Sequence, residues 1–246
     1  MTIITLLLVA VAASIGVVSA VLVGRVRREL ESRYRRTEAW MAIYAVLQPR
    51  APLGRTGPWI ASPELLHDLV LTIFETRPRR IVELGSGLST VVCAYALQKV
   101  DPEGRMISLD HDEHFAESTR RQLRMHGLED IVQVIHAPLR DTITDLGTQP
   151  WYTVPEAAVR EPIDLLIVDG PPGGRLRLAR YPAFPVLRDR LSTRAVVVVD
   201  DARRPDEQEI VQRWCRLEPE LTVEQRASEK GTAILRRVTR TGAPAR

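Results

Sequence analysis

Cysteine is scarce: Cys93 and Cys215 are the only two in 246 residues, far apart and without a Cys or His partner at metal-ligand spacing. That excludes a disulfide framework and a cysteine-based zinc site, and it fits a reducing compartment. Cys93 falls in the helix expected after a glycine turn, so it reads as a small buried hydrophobe. Internal repeats and low-complexity tracts are missing as well. Charge of one sign is also in short supply. Lys and Arg total 34 against 31 Asp and Glu, a net charge of +3 with pI near 9.1. This excess is too weak and dispersed for a nucleic-acid surface, so no nucleic-acid partner is expected. A length of 246 residues suits one α/β domain with a sizeable core.

One stretch lacks charge altogether. Ile3 to Gly24 is rich in Leu, Val, Ile and Ala, and at roughly 1.5 Å per residue it is long enough to cross a hydrocarbon core of about 30 Å. Arg25, Arg27, Arg28, Arg35 and Arg36 follow it, and only Met1 and Thr2 precede it. The sequence therefore predicts an N-terminal transmembrane helix over residues 1–24, single-pass in the inner (cytoplasmic) membrane. The positive-inside bias puts the rest of the chain in the cytoplasm. A cleaved signal peptide competes, since Val18-Ser19-Ala20 resembles a cleavage site, but the basic n-region of such signals is lacking. Residues 25–58 read as a juxtamembrane helix and a linker. Val26, Leu30 and Tyr34, then Trp40, Tyr44 and Leu47, make an apolar face, and the Pro-rich run Gln48–Gly54 ends it. Its arginines either touch anionic headgroups or belong to a solvated spacer. Ser62 and Pro63 then cap and start the next helix.

Residues 80–90, Arg-Ile-Val-Glu-Leu-Gly-Ser-Gly-Leu-Ser-Thr, carry the most information. They read as a buried strand, an acid, a tight glycine turn through Gly85, Ser86 and Gly87, and a helix opened by Ser89 and Thr90. That is a nucleotide-binding turn of the doubly wound α/β type, with the ligand at the carboxyl end of the first strand. A dinucleotide turn wants a third glycine where this chain has Thr90. Glu83, just before the turn, repels a diphosphate but attracts the amino group of a methionine moiety.

Further strands follow the same rule. Met106–Leu109 ends in Asp110-His111-Asp112, where Asp110 is placed for a ribose diol and His111 for the adenine edge. Asp112 reads as a helix N-cap, since Glu113 follows in the first turn. Ile131–Ile135 is a third strand, followed by His136-Ala137-Pro138-Leu139. Asp164–Val168 is a fourth, ending in Asp169-Gly-Pro-Pro-Gly-Gly. Ala195–Val199 is a fifth, ending in Asp200-Asp201. After the helix Pro205–Leu217, two strands at Leu221–Gln225 and Thr232–Val238 form a closing antiparallel hairpin, and the tail 239–246 reads as disordered.

Taken together, Trp59–Pro63, Val82–Thr90, Ser108–Asp112, Ala137–Leu139, Trp151-Tyr152, Val168–Gly173, Arg180–Pro182 and Val199–Ala202 resemble the class I S-adenosylmethionine (SAM)-dependent methyltransferases, O-methyltransferase-like branch. The likeness runs from about Trp59 to Val238. It implies a Rossmann-like seven-stranded, mostly parallel sheet with helices on both faces and a C-terminal antiparallel hairpin, over residues 59–238. It also implies SAM held by Glu83, Gly85, Ser86, Gly87, Ser89, Asp110, His111, Ala137 and Asp169, with adenine contacts near Ala137.

The expected chemistry is methyl transfer to a small-molecule or glycolipid-type acceptor, at a hydroxyl, with Asp169 as the catalytic residue facing the cofactor's reactive end. Asp169, Asp200 and Asp201 cluster at adjacent strand ends, an all-oxygen set that suits Mg²⁺. The alternative for these aspartates is capping of the following helices and loops. Catechol-type enzymes carry a lysine three residues after the fourth-strand acid; here that place holds Pro172, which excludes a lysine base there. The long insertion Arg140–Glu161, with Trp151 and Tyr152, reads as a lid or as a surface loop pinned by two aromatics. Arg175, Arg177, Arg180 and Tyr181 read as a basic rim for an anionic substrate or as a solvated face. Two rival functions stand beside this one. One is an aminopropyl transferase, which prefers a more glycine-rich turn and an acidic pair after the fourth strand. The other is a catalytically silent SAM-binding or membrane-scaffolding protein.

Overall fold

The computed structural model describes residues 2–54, 61–174 and 176–237, with side chains except at 4–12 and 157–158. Trp59 of the linker, Arg175 of the expected rim and the tail 239–246 lie outside the described residues.

The chain opens with α1 (Ile3–Leu47) and α2 (Pro63–Thr76), followed by β1 (Arg80–Leu84), α3 (Leu88–Val100), β2 (Arg105–Asp110), α4 (Glu113–His126) and β3 (Val132–His136). A separate hairpin, β4 (Leu139–Thr144) and β5 (Gly147–Tyr152), leads to β6 (Ile163–Val168), α5 (Ala183–Leu187), β7 (Leu191–Val199), α6 (Pro205–Leu217), β8 (Leu221–Arg226) and β9 (Thr232–Arg237). Seven strands make one sheet in the order β3-β2-β1-β6-β7-β9-β8. The first five pair in parallel, while β9 enters antiparallel to β7 and β8 pairs antiparallel with β9. The expected mostly parallel, Rossmann-like sheet is thus present.

The central strands are continuous apolar runs, such as Val196-Val197-Val198-Val199, because both of their faces are covered. One core packs Leu65, Leu69, Val92 and Leu97 of α2 and α3 against one sheet face. The other packs Phe184, Trp214 and Trp151 against the opposite face. After β3 the chain returns to the far side of β1, so β1 and β6 are neighbours with connections leaving in opposite directions. In open α/β sheets that switch point leaves a crevice at the carboxyl ends of the strands.

Local signals are met where they were expected. The Ser62 Oγ accepts from the Leu65 N–H at 3.2 Å with Pro63 at the first helical position. The Asp112 carboxylate accepts from the His114 N–H at 2.8 Å, which makes it the N-cap of α4.

The N-terminus requires a correction. Among the described residues no helix is long and apolar enough to cross a membrane, so the predicted transmembrane helix and the single-pass membrane localisation do not hold. Residues 3–47 form one helix of 45 residues, without a break where the apolar run meets the arginines. Its last turns pack Ala39, Ile43 and Leu47 onto the domain core, and the helix stops at Gln48, whose φ is 49°. The linker is pinned beyond it: the Arg50 N–H donates to Tyr95 Oη at 2.9 Å and the Leu53 N–H to Tyr44 Oη at 3.2 Å.

The insertion Arg140–Glu161 is also more ordered than a lid loop. Most of it is the β4–β5 hairpin, with Trp151 and Tyr152 buried at its base.

Candidate functional site

A solvent-open cleft of about 770 Å³ lies at the carboxyl ends of β1, β2 and β6, walled by Gly85, Ser86, Asp110, His111, Tyr152 and Asp169. Its glycine turn is shaped first by the protein itself. Gly85 has φ +96°, and a Cβ there would lie 3.2 Å from the Asp169 carbonyl carbon. The close approach of the β1 and β6 ends therefore demands glycine before any ligand is considered. At Gly87 a Cβ would meet nothing within 4 Å, so that edge of the turn faces open space.

Glu83 sits beneath the turn and is fully buried. Its Oε2 accepts from Thr90 Oγ1 at 2.5 Å and from Ser108 Oγ at 2.7 Å. Thr90 Oγ1 in turn accepts from the Gly87 N–H at 2.9 Å. Thr90 thus replaces the third glycine of a dinucleotide turn with a strap between turn and acid. Glu83 Oε1 makes no hydrogen bond among the described residues. Burial pushes the Glu83 carboxyl up to about 7, against the hydroxyls of Thr90, Ser89 and Ser108, which favour its charge.

At the tip of β2, Asp110 Oδ2 accepts from the Ser86 N–H (3.0 Å) and Ser86 Oγ (2.7 Å), and Oδ1 accepts from the Asp112 N–H (3.0 Å). His111 lies edge-on to Tyr152, ring centroids 6.2 Å apart. Tyr152 Oη is buried without a hydrogen-bond partner among the described residues. Ser89 lines an adjoining lobe with Gly54 and Ala61, which shares Ser86 and Asp169 with the main cleft. Ala137 stands apart: it is fully buried, its N–H donates to the Asp110 carbonyl at 2.7 Å, and it backs the β2 tip without lining either lobe.

The three aspartates do come together. Asp169 ends β6, Asp200 and Asp201 follow β7, and each offers a carboxylate oxygen within 4.8 Å of the others. Asp200 Oδ1 and Asp201 Oδ1 are buried and make no hydrogen bond among the described residues. Burial raises the Asp169 carboxyl to about 6, with Arg180 opposing and Asp201 adding to the rise. Asp200 is raised well above the carboxylate range by burial and then by its two acidic neighbours.

The expected basic rim is dispersed. Arg177 turns outward to Glu209 and Asp206. Tyr181 is buried, and its Oη donates to the Asp145 carboxylate, 2.6 Å to Oδ1, at the tip of the β4–β5 hairpin. Arg180 is the residue that sequence reasoning misplaced. Its guanidinium is buried among the acids, 2.9 Å from Asp201 Oδ2 and 3.5 Å from Asp169 Oδ1. It sits in an irregular segment with no periodicity to mark it as buried. Arg204, also 2.9 Å from Asp201 Oδ2, and Lys230 line the mouth of the cleft.

A glycine turn after β1, an acid at the β2 tip and a cleft at the switch point of an open sheet define a nucleoside-binding α/β domain. The β8–β9 hairpin sets it apart from the dinucleotide-binding dehydrogenases. Residues 82–202, just under half of the chain, match the family described as a methyltransferase domain, and over that stretch the chain is similar to the SAM-dependent methyltransferases. A catechol O-methyltransferase of Mycobacterium tuberculosis is 29% identical over 129 residues, 51% of this chain and 49% of that protein. The chain therefore spans about half the length of this curated relative. An O-methyltransferase from Bacillus cereus in complex with SAH shares the fold at 18% identity and a TM-score of 0.58, over 85% of this chain and 97% of that one. The SAH-bound Podospora anserina methyltransferase PaMTH1 does so at 16% identity and TM-score 0.58, over 87% and 96%.

Proposed function

We propose that this chain moves the methyl group of SAM to a hydroxyl of a small-molecule acceptor. The observation that carries the reading is the adjacency, in one cleft, of the glycine turn and Asp110 on one side and the acid cluster begun by Asp169 on the other. Asp110 and Ser86 would hold the ribose, His111 the adenine edge, with Ala137 supporting the β2 tip from behind. The turn from Gly85 to Ser89 would seat the methionine part, with Glu83 Oε1 left to attract its amino group. The catalytic unit is residues 59–238, with the end of α1 packed onto it.

Bound there, the cofactor supplies a methyl group activated by its sulfonium. The chain's own task is to align the acceptor oxygen with that methyl and to take the hydroxyl proton. Asp169 stands at the junction of the two parts of the cleft and would accept it, since Pro172 occupies the place where a lysine base stands in catechol-type enzymes. A divalent ion fits the donors present: three carboxylates within 4.8 Å, two of them with bare buried oxygens. Asp169, Asp200 and Asp201 would hold Mg²⁺, which would lower the pKa of a bound hydroxyl.

The test is calorimetry with SAH, followed by transfer of labelled methyl from SAM to a metabolite extract. Native protein should bind SAH and label a product, and Asp169→Asn should bind SAH while labelling far less. Native protein that binds neither SAM nor SAH would overturn the reading. Binding without any transfer would leave a silent SAM-binding protein.

A further inference from the structure

We propose that Arg180 is the resident cation of the acid cluster and sets how tightly the cluster takes a divalent ion. The inference rests on the metal reading of the acid cluster given above and adds Arg180 to it. Arg180 is 3% exposed. Its Nη1 donates to the Asp200 carbonyl at 3.0 Å, and its Nη2 to the Asp169 carbonyl at 3.0 Å and to Asp201 Oδ2 at 2.9 Å. Its Nε reaches the Pro171 carbonyl at 3.4 Å and lies 3.9 Å from Glu207 Oε1. One planar fork therefore ties the ends of β6 and β7 together, and a guanidinium never gives up its proton in a protein.

The consequence is electrostatic. Asp169, Asp200, Asp201 and Glu207 surround this single buried charge, with Arg204 reaching Asp201 Oδ2 from the mouth at 2.9 Å. The oxygens left over are Asp200 Oδ1, Asp201 Oδ1 and Glu207 Oε2. One carboxylate oxygen each from Asp169, Asp200 and Asp201, within 4.8 Å of one another, makes the seat a divalent ion would take. An ion entering there meets a fixed positive charge on the same aspartates, in surroundings where charges are poorly screened. Removing the guanidinium would leave Asp169 and Asp200 without their buried counter-charge and Asp201 with Arg204 alone, a state that favours capture of a cation that fits. Arg180 is thus a positioning residue: it holds the aspartates' backbone in place and keeps the metal seat weak.

The experiment is a Mn²⁺ titration followed by electron paramagnetic resonance, without cofactor, on native protein, Arg180→Met and Arg180→Lys. Met keeps most of the stem volume and drops the charge, and Lys keeps the charge and drops the fork. Arg180→Met should bind Mn²⁺ at least tenfold more tightly than native protein, and its thermal midpoint should rise with added Mg²⁺ while the native midpoint barely moves. Arg180→Lys should stay close to native. A Met variant that binds no tighter, or a Lys variant as tight as the Met variant, would overturn the proposal. If Arg180→Met is recovered only as aggregate, recovery on refolding in Mg²⁺ supports the proposal, and continued aggregation overturns it. SAH calorimetry on native protein reports separately on the cleft: its failure would sink the cofactor reading and leave the Mn²⁺ comparison standing.

Discussion

Replacing Glu83 by Gln should make the protein markedly more stable at pH 8 and only slightly more stable at pH 5. An ordinary glutamate titrates near 4.5, whereas burial raises Glu83 to about 7. An acid whose folded pKa lies above its unfolded one contributes stability that is complete below the unfolded value. That contribution is lost as pH rises through the folded one. For Glu83 the window runs from 4.5 to 7, and at 1.36 kcal/mol per unit the difference of 7 − 4.5 amounts to about 3 kcal/mol by pH 8. The amide escapes this loss. Its carbonyl can still accept from Thr90 and Ser108, and its NH₂ takes the place of the oxygen that makes no hydrogen bond. Urea unfolding at pH 5 and pH 8, extrapolated to water, measures the gap between variant and native protein. The gap should stay under about 1 kcal/mol at pH 5 and reach about 3 kcal/mol at pH 8. A gap independent of pH, or a variant weaker than native at pH 8, would show that Glu83 is not held near neutrality. Calorimetry on the same proteins should show weaker SAH binding by the variant, because the carboxylate that would face the cofactor's amino group is gone.

Gly85→Ala should cost about 1–3 kcal/mol of stability, because φ +96° strains an L-residue and the new Cβ would press on the Asp169 carbonyl; thermal unfolding and SAH calorimetry together check it. Asp110→Ala removes the acceptor that orders Ser86 and should weaken SAH binding at least tenfold, the scale of a hydrogen bond to a charged group; unchanged affinity would refute the ribose assignment. Tyr181→Phe deletes the bond to Asp145 and should loosen the β4–β5 hairpin by about 1.5–3 kcal/mol, seen as faster amide exchange over residues 139–152 with the β1–β2 core unaffected. Asp200→Asn should lower turnover while leaving SAH affinity intact, and full activity in EDTA would leave the aspartates as caps and a base.

Much of this protein is readable along the chain because the signals are local. A buried parallel strand is an apolar run, a tight turn needs glycine, and a helix starts at Ser62-Pro63 or Asp112 through atoms three residues apart or fewer. The acids at strand ends follow from the same pattern, so Asp110, Asp169, Asp200 and Asp201 could be named without coordinates. The N-terminus misled because composition changes at Arg25 while helix propensity does not. Arg, Glu, Leu and Ala all favour helix, so nothing stops α1 before Gln48-Pro49. The β4–β5 hairpin escaped because Arg, Asp, Thr and Pro blur its alternation, and its order comes from Trp151, Tyr152 and the Tyr181–Asp145 bond.

The charge state of the site was out of reach for the same kind of reason. Which acid Thr90 and Ser108 cover, and whether Arg180 faces water or lies among carboxylates, depends on segments 7 to 25 residues apart in the chain. Sequence by itself determined the strands, the glycine turn and the acids at the strand tips, since each is set by backbone sterics and burial over a few residues. Only the tertiary structure decided the partners of those acids, because desolvation and Coulomb forces act through space and carry no imprint in local spacing.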